Sequence, residues 1–208
     1  MKSYKQYCGL AKALDVVGDR WTLLLIRELL IRGACRYTDL RAGLPGIATN
    51  LLATRLKELE MAGVVIGEEA PPPVATKLFR LTQRGAALAP AVEALGRWGA
   101  PLLSQAKRGD AFRAHWLALP AEMHLKDHSP ERPLVAIELR VGDESLTIEA
   151  AEGKVRARPG RAEDPVLVLS GRHDLVFGLL MGKIGFRAAQ AAGISHQGDP
   201  DVLARVRP

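Results

Sequence analysis

A row of short polar side chains that ends in a cation has the spacing of one helix face. Asn50, Ala53, Thr54 and Lys57 lie three or four residues apart, so a helix presents them together. The amide of Asn50 can pair with an adenine edge, and the hydroxyl of Thr54 can meet a base or a phosphate. Arg55 and Lys57 suit phosphates, which position a protein on DNA without specifying sequence. The row is therefore chemically suited to contact with DNA.

Leucines define the opposite face of the same segment. Leu52, Leu56 and Leu59 follow one another at i, i+4 and i+7, a pattern that packs against another helix. The mainly apolar segment 21–32 is the expected partner. A solvated polar face is also the ordinary property of an amphipathic helix, and the polar row alone favours that interpretation. The order of the helices, the hairpin and the division of charge described below favour contact with DNA instead.

The elements around this segment are predicted in a definite order. Apolar residues recur every three or four positions from Leu10 to Met61, and glycines mark the breaks. A hairpin follows, with strands at 64–66 and 77–81 and an acidic, proline-rich tip at 68–74. Helix, short helix, tight turn, second helix and hairpin are the order of a winged helix-turn-helix. The predicted helices span residues 9–17, 21–32, 37–42 and 49–62.

Two cations on the hairpin and an apolar stripe after it complete this half of the chain. Lys77 and Arg80 are expected on one side of the second strand, where they can touch the DNA backbone or the minor groove. Thr82 is a predicted N-cap. Apolar residues with Trp98 alongside predict a helix over 88–102 whose stripe requires a partner.

The excess of positive charge lies in the first half of the chain. The net charge is +6; residues 1–108 hold 16 Lys and Arg against 9 Asp and Glu, whereas residues 109–208 hold 13 against 14. Neutralised phosphates are the main source of nucleic-acid affinity, so a polyanion-binding half joined to a near-neutral half fits this division. A solvated basic surface without a partner is the alternative.

The remaining composition excludes several classes of protein. Cys8 and Cys35 lie far apart without C-x-x-C spacing, which argues against a disulfide scaffold and a zinc knuckle. The first residues lack the apolar run of a signal peptide, and no stretch approaches membrane-spanning length. No glycine loop suited to phosphates is present. We therefore expect a cytoplasmic protein with no membrane partner, cofactor or metal ion.

The second half has a different texture, and the boundary is expected near residue 110. Strands are predicted at 134–139, 145–150, 154–158 and 166–169, followed by helices at 172–181 and 186–192. The predicted fold class is α+β, with a winged helix-turn-helix domain at 1–108 and a small α+β domain with a mixed or antiparallel sheet at 109–208.

No catalytic constellation emerges from this second half. Ser170, His173 and Asp174 lie along one helical turn, which does not provide the geometry of a proton relay, and Ser170 is better explained as an N-cap. His124 and His128 lack an H-E-x-x-H acid between them. The chain is therefore predicted not to be an enzyme.

Several motifs in order resemble the HxlR-type branch of winged-helix regulators. They are CGLAKALDVVGDRWTLLLIREL from Cys8, RYTDLR from Arg36, LPGIA from Leu44, LATRLKELE from Leu52, Gly63 and the pair Leu81-Thr82.

The HxlR resemblance implies a homodimer that binds inverted-repeat operators in double-stranded DNA, usually as a repressor. Family dimers form through the first and last helices. Here Leu10, Leu14 and the 88–102 helix would supply that interface.

Two positions qualify what the resemblance implies. The family usually has Ser at the start of the recognition helix, where this chain has Ala48, so Thr49 is expected to cap that helix and to join the DNA-contacting residues. Cys8 matches a position where some relatives carry a redox-sensing cysteine, and Lys5 and Lys12 would favour its thiolate. A small apolar residue in the dimer core is the alternative role for Cys8.

The second half resembles an SCP2-type, sterol-carrier-like domain through segments 164–171, 179–184 and 193–199. That resemblance implies a mixed sheet and helices over an apolar tunnel. The tunnel residues would be Trp116, Leu119, Phe177, Leu180 and Met181, which can equally fill a solid core.

These resemblances are consistent with two functions. The first is a transcriptional regulator whose second domain binds a hydrophobic small-molecule effector. The alternative is a hydrophobic-ligand carrier whose winged helix serves only dimerisation.

Overall fold

The apolar spacing of the first hundred residues produces short helices followed by a hairpin. The computed structural model describes residues 3–70, 76–107 and 109–208. The chain divides into two units, Met1–Ser104 and Gln105–Pro208. The helices of unit 1 are α1 (Gly9–Val17), α2 (Thr22–Arg32), α3 (Tyr37–Ala42), α4 (Thr49–Met61), α5 (Gln83–Ala86) and α6 (Ala89–Gly99).

A small antiparallel sheet accompanies these helices. Its strands are β1 (Cys35–Arg36), β2 (Val65–Glu69) and β3 (Lys77–Leu81), in the order β1-β3-β2. Strand β2 extends beyond the predicted 64–66 because Glu68 and Glu69 pair with Leu78 and Lys77 and continue the ladder. Of the predicted hairpin tip, residues 71–75 lie outside the described part of the chain.

The core of unit 1 forms where the helices present leucines to one another. The residues that bury nearly their whole surface include Leu25, Ile26, Leu40, Leu44, Leu52, Leu56 and Leu59. Full burial of such a side chain contributes about 1.5–3 kcal/mol. The predicted contact between the leucine face of α4 and the apolar segment 21–32 is thus part of one cluster.

The prediction of a single helix over residues 88–102 is wrong in its extent. Thr82 does cap a helix, since its hydroxyl accepts a hydrogen bond from the N–H of Gly85, but that helix ends at Ala86 and α6 begins at Ala89. Helix α6 ends at Gly99 and a 3-10 segment covers Ala100–Gln105. Pro101 has no N–H with which to continue the α-helical hydrogen bonds, which accounts for the change of helix type.

Unit 2 is built on a mixed sheet. Strands β5 (Val135–Val141), β6 (Glu144–Ala151), β7 (Lys154–Pro159), β8 (Leu167–Ser170) and β9 (Ser195–Gly198) follow the order β7-β6-β5-β8-β9. Strands β5 and β8 are parallel, and the other neighbours are antiparallel. The buried residues of the sheet include Ile137, Leu139, Leu146, Ile148, Leu167 and Leu169. The α+β class and the mixed sheet agree with the sequence prediction.

Two helices of unit 2 agree with the predicted 172–181 and 186–192 to within one residue at each end, whereas a third helix and two short strands were not predicted. The helices are α7 (Ala118–His124), α8 (His173–Leu180) and α9 (Phe186–Ala191), with 3-10 segments at Ala114–Leu117 and Pro200–Ala204. Two short strands, β4 (Lys126–Asp127) and β10 (Val206–Arg207), pair antiparallel. The prediction of Ser170 as an N-cap is wrong: Ser170 pairs with Ser195 inside the sheet, and Arg172 occupies the N-cap of α8.

Candidate nucleic-acid interface

Helix α4 presents the polar row that the sequence singled out. Leu52 and Leu56 are buried on one face of the helix, whereas Asn50, Thr54 and Lys57 are exposed on the other. Ala53, a small residue, is exposed between them. The segment that follows the turn of the helix-turn-helix is therefore open to a ligand along its polar face.

The start of α4 is held by a neighbouring helix rather than by its own cap. Ala48 is the N-cap, extended at φ −71° and ψ 141°, and makes no side-chain capping bond. The prediction that Thr49 caps the helix is wrong, because Thr49 is already its first helical residue. The hydroxyl of Tyr37, at the start of α3, donates a hydrogen bond of 2.6 Å to the carbonyl of Thr49. This bond ties α3 to the beginning of α4.

The polar side chains of α4 keep part of their hydrogen-bonding capacity for a ligand. The Thr54 hydroxyl donates to the Asn50 carbonyl at 2.9 Å, and its oxygen lone pairs remain acceptors. The Asn50 Oδ1 accepts from the N–H of Leu51 at 2.9 Å. The Nδ2 group of Asn50 has no hydrogen-bond partner among the described residues. An amide donor and a hydroxyl acceptor thus lie one helical turn apart on an exposed face.

Arg55 lies in a different environment from the polar row. Its guanidinium is ion-paired with Asp19 and with Glu58, and its side chain is only 17% exposed. The sequence predicts that Arg55 and Lys57 both contact phosphates. In the structure only Lys57 lies on the exposed polar face of α4. Within the described chain Lys57 has no ion-pair partner.

The two cations of the hairpin face opposite sides of β3. They are three residues apart, and successive side chains of a strand alternate between its faces, so the expectation that they share a side is wrong. Lys77 lies on the same face as Phe79. Its Nζ is 5.1 Å from the centre of the Phe79 ring and 2.9 Å from Glu60 Oε1. Arg80 pairs with Glu68, and the hydrogen bonds from the guanidinium lower the pKa of that carboxyl.

Two arginines near α4 escaped the sequence prediction. Arg36 precedes α3 and Arg41 lies within it; both are exposed, and neither has an ion-pair partner among the described residues. The first helix of a helix-turn-helix crosses the DNA backbone, and Arg36 and Arg41 lie just before and within the corresponding helix α3. Their signal in the sequence was the motif RYTDLR, whose polar residues surround the buried Leu40.

An apolar surface remains exposed on the first and last helices of unit 1. Leu10 is 69% exposed on α1, and Leu14 lies one turn further along. Leu95 and Trp98 are 51% and 75% exposed on α6, and Leu102 follows on the 3-10 segment. Large apolar groups rarely face water in such numbers unless the surface has a partner.

The two cysteines differ in environment. Cys8 is exposed and occupies the N-cap position of α1. Cys35 is buried in the unit 1 core, and this burial raises the pKa of its thiol to about 11. The thiol of Cys35 is therefore protonated near neutral pH and behaves as an apolar core group.

A pocket of about 370 Å³ lies within unit 2. Its apolar lining comes from the end of α8, the start of α9 and the last residues of the chain: Leu179, Leu180, Ile184, Phe186, Leu203 and Val206. Of the residues predicted to line a tunnel, Leu180 borders this pocket, and Trp116, Leu119, Phe177 and Met181 do not. Trp116 instead contacts Phe112 edge to face, with ring centroids 6.4 Å apart.

Other polar residues of unit 2 form structural contacts. His173 stacks on Phe112 with ring centroids 4.5 Å apart, and Asp174 pairs with Arg172, so neither is engaged with Ser170 in a relay. No group of three or more His, Cys, Asp or Glu able to hold a metal ion occurs among residues 3–70, 76–107 and 109–208. None of the helices in this described part of the chain is long and apolar enough to cross a membrane.

Comparison with known proteins concerns the first half of the chain. Residues 16–107 match the model of the HxlR-like helix-turn-helix family. The chain is 37% identical to YvaP of Bacillus subtilis, an uncharacterized HTH-type transcriptional regulator, over 87 residues that span 42% of this chain and 80% of YvaP. It is 33% identical to the similarly described regulator sll1512 of Synechocystis over 101 residues, 47% of this chain and 72% of sll1512. The solved structure of the oxidized redox regulator HypR has 31% identity and a TM-score of 0.43, and the match covers 45% of this chain and 96% of HypR.

Proposed function

Because the chain belongs to the HxlR-like helix-turn-helix family of transcriptional regulators, we propose that this DNA-binding protein is a homodimeric repressor of inverted-repeat operators. The exposed polar face of α4 carries the proposal. It combines a small residue at Ala53, an amide donor at Asn50 and a hydroxyl at Thr54, the groups that a helix in the major groove requires. Since the family is regulatory, the chain is not an enzyme.

Base contacts and phosphate contacts are assigned to different residues. Asn50 and Thr54 read base edges, and Thr49 lies beside them at the start of the helix. Lys57, Arg36 and Arg41 contact phosphates, since none of them has an ion-pair partner among the described residues.

Three further cations are less available for phosphate contact because each is already ion-paired. Lys77 and Arg80 contribute from the hairpin only by exchanging Glu60 and Glu68 for phosphate. Arg55 reaches DNA only if it leaves Asp19 and Glu58.

The dimer proposal follows from the exposed apolar surface of α1 and α6. Burying Leu10, Leu14, Leu95 and Trp98 against a second copy removes this surface from water. A twofold axis through these helices gives two copies of α4, as an inverted repeat demands, with half-sites about one turn of DNA apart.

Fluorescence anisotropy on the protein's own promoter DNA tests the proposal. We expect affinity for one inverted-repeat fragment to exceed that for scrambled DNA by at least about 1,000-fold at physiological salt. An affinity that ignores sequence under these conditions contradicts a specific regulator. Transcription from that promoter in the presence of the protein then tests repression.

A pair of substitutions on α4 separates reading from positioning. Asn50→Ala is expected to cost about 1–3 kcal/mol on the cognate operator and to relax specificity at one base pair, because it removes an amide that reads a base edge. Lys57→Ala is expected to weaken cognate and scrambled DNA alike and to reduce the salt slope by about one. Binding titrations at several salt concentrations measure both effects. An equal loss of specificity in the two variants contradicts these roles.

For unit 2 we propose an SCP2-like domain that binds a hydrophobic effector. The mixed sheet and the apolar pocket near α8 and α9 support it, because ligand pockets are concave and mainly apolar and start at about 300 Å³. The effector acts by differential affinity for the DNA-competent and DNA-incompetent states of the dimer. Cys8 stays a predicted redox position, accessible at the start of α1.

Filling the pocket tests the ligand proposal. Ile184→Trp is expected to abolish a saturable fluorescence increase with the probe 8-anilinonaphthalene-1-sulfonate, because the indole occupies the space that the probe needs. Leu134→Trp, at an exposed position outside the pocket, is the matched control and should leave the increase intact. Unchanged probe binding in Ile184→Trp contradicts the site. Native mass spectrometry that finds a stoichiometric ligand on a protein without DNA affinity favours the carrier alternative.

A further inference from the structure

The junction between α1 and α2 is held in a strained conformation. Trp21 has φ +80° and ψ −21°, the left-handed region that a bulky L-residue avoids because its Cβ crowds the carbonyl oxygen. Such a conformation persists only where surrounding contacts determine it, and strained residues of this kind cluster at functional positions. The contacts of residues 18–21 therefore indicate which parts of the fold hold Trp21 in this conformation.

Two of these contacts reach α4, one at the turn before the helix and one at its second turn. The edge of the Trp21 ring lies against Gly46 in the turn ahead of α4, since its Cη2 is 3.7 Å from the place of a Cβ there. Asp19 accepts a hydrogen bond from Arg55, which lies on the second turn of α4. The guanidinium of Arg20, 5.9 Å from the centre of the Trp21 ring, covers the same indole.

Unsatisfied polar atoms mark the same place. Among the described residues, two buried side-chain atoms lack a hydrogen-bond partner, Thr22 Oγ1 and Arg55 Nε. Thr22 follows Trp21 directly, and Arg55 is the residue that holds Asp19. Native proteins pair nearly all such atoms, so an unpaired one calls for a specific cause. Both unpaired atoms thus lie next to the junction, Thr22 at the start of α2 and Arg55 on α4.

We propose that residues Gly18 to Trp21 are a positioning element that fixes the orientation of α4 relative to α1, and thereby the half-site spacing that the dimer accepts. The inference rests on the proposed dimer. Helix α1 carries Leu10 and Leu14 into that interface, and the recognition helix is connected to α1 through this junction. A rigid junction holds the two copies of α4 at one separation, and a loosened junction permits several.

Removing one carboxylate at a time tests the junction. Asp19→Asn removes the ionic part of the link between Arg55 and the junction and leaves at most a neutral hydrogen bond. Glu58→Gln does the same to the second carboxylate that pairs with Arg55, and Glu58 itself lies on α4. Both variants cost Arg55 one ionic partner, so Glu58→Gln is a matched control. Asp19 is 58% exposed, so its substitution leaves the core intact.

The measurement is affinity for operators whose centre is shortened or lengthened by one and two base pairs. The wild type should prefer one spacing. Asp19→Asn is expected to reduce the preference over the neighbouring spacings by about 2- to 5-fold, the range for a partly exposed ion pair. Glu58→Gln and the conservative Asp19→Glu should keep the wild-type preference. A purely structural role would lower affinity at all spacings in proportion.

The outcomes distinguish the role of the junction from the proposed operator-binding function. A spacing profile of Asp19→Asn that coincides with those of the wild type and Glu58→Gln overturns the role of the junction and leaves the operator-binding dimer in place. A wild type that binds no inverted repeat in preference to scrambled DNA overturns the proposed function, and the role of the junction with it.

Discussion

A carboxylate at position 95 is expected to convert the protein into a monomer and to weaken operator binding by about 100- to 10,000-fold, the gain that linking two binding modules provides. Leu95 is 51% exposed on α6, so Leu95→Asp does not disturb the core of unit 1. In the proposed dimer the same side chain is buried against a second copy, where an unpaired charge is strongly unfavourable. Light scattering after size-exclusion chromatography measures the mass, and anisotropy measures the affinity.

The control for this substitution places the same charge elsewhere. Leu134 is 60% exposed in unit 2, so Leu134→Asp makes an equivalent change of charge outside the proposed interface and should leave mass and DNA affinity unchanged. A Leu95→Asp variant that remains dimeric and binds the operator like the wild type would show that α6 does not form the interface.

The largest expected effect on stability comes from a buried ion pair in unit 2. Arg205 donates from Nε to Asp127 Oδ1 at 2.7 Å and from Nη2 to Oδ2 at 3.0 Å. Its Nη1 also donates to the Pro133 carbonyl at 2.7 Å. Asp127→Asn is expected to lower the free energy of unfolding of unit 2 by about 3–5 kcal/mol, because it leaves the guanidinium buried without its counter-charge. Hydrogen exchange of peptides from β5 and β6 localises the loss to unit 2.

The same pair gives a pH dependence with a definite sign. Hydrogen bonds from Arg205 are the main reason why the pKa of Asp127 falls from 3.8 to about 2. A carboxyl whose pKa is lower in the folded state stabilises the fold above its unfolded pKa and loses this contribution as the pH falls toward the folded pKa. The wild type should therefore lose stability between about pH 4 and pH 2, and Asp127→Asn should lack this part of the acid transition.

A surface ion pair provides the comparison. Arg158 and Glu149 lie on neighbouring strands with both side chains partly exposed, so Glu149→Gln should cost no more than about 1 kcal/mol. If Asp127→Asn costs no more than this control, the buried pair is not a main stabilising contact of unit 2.

The sequence predicted the elements whose pattern is local. Helices α1 and α3 and strand β3 have the bounds expected from periodicity and from the residues that flank them, and the exposed face of α4 follows from its leucine spacing. Helix α7 was missed because its position depends on a distant contact. Its Glu122 accepts a hydrogen bond of 2.8 Å from the N–H of Ala157 on β7, 35 residues away.

Within the candidate site, too, the features that depend on local geometry could be predicted, and those that depend on distant residues could not. The polar row of α4 could be predicted because helical geometry alone brings its members together. The engagement of Arg55 could not, since its partner Asp19 is 36 residues earlier in the chain. The opposite orientations of Lys77 and Arg80, by contrast, follow from their odd separation along a strand and were predictable from the sequence.

The ion pair between Asp127 and Arg205 determines how late during synthesis unit 2 can be completed. Asp127 meets its cation only 78 residues later along the chain, so this contact cannot form until Arg205 has left the ribosome. All partners of the unit 1 core emerge much earlier, and domains generally fold as units with the amino-terminal one first. A nascent chain stalled shortly before Arg205 would carry a folded helix-turn-helix beside an incomplete second domain, with the carboxylate of Asp127 still awaiting its counter-charge.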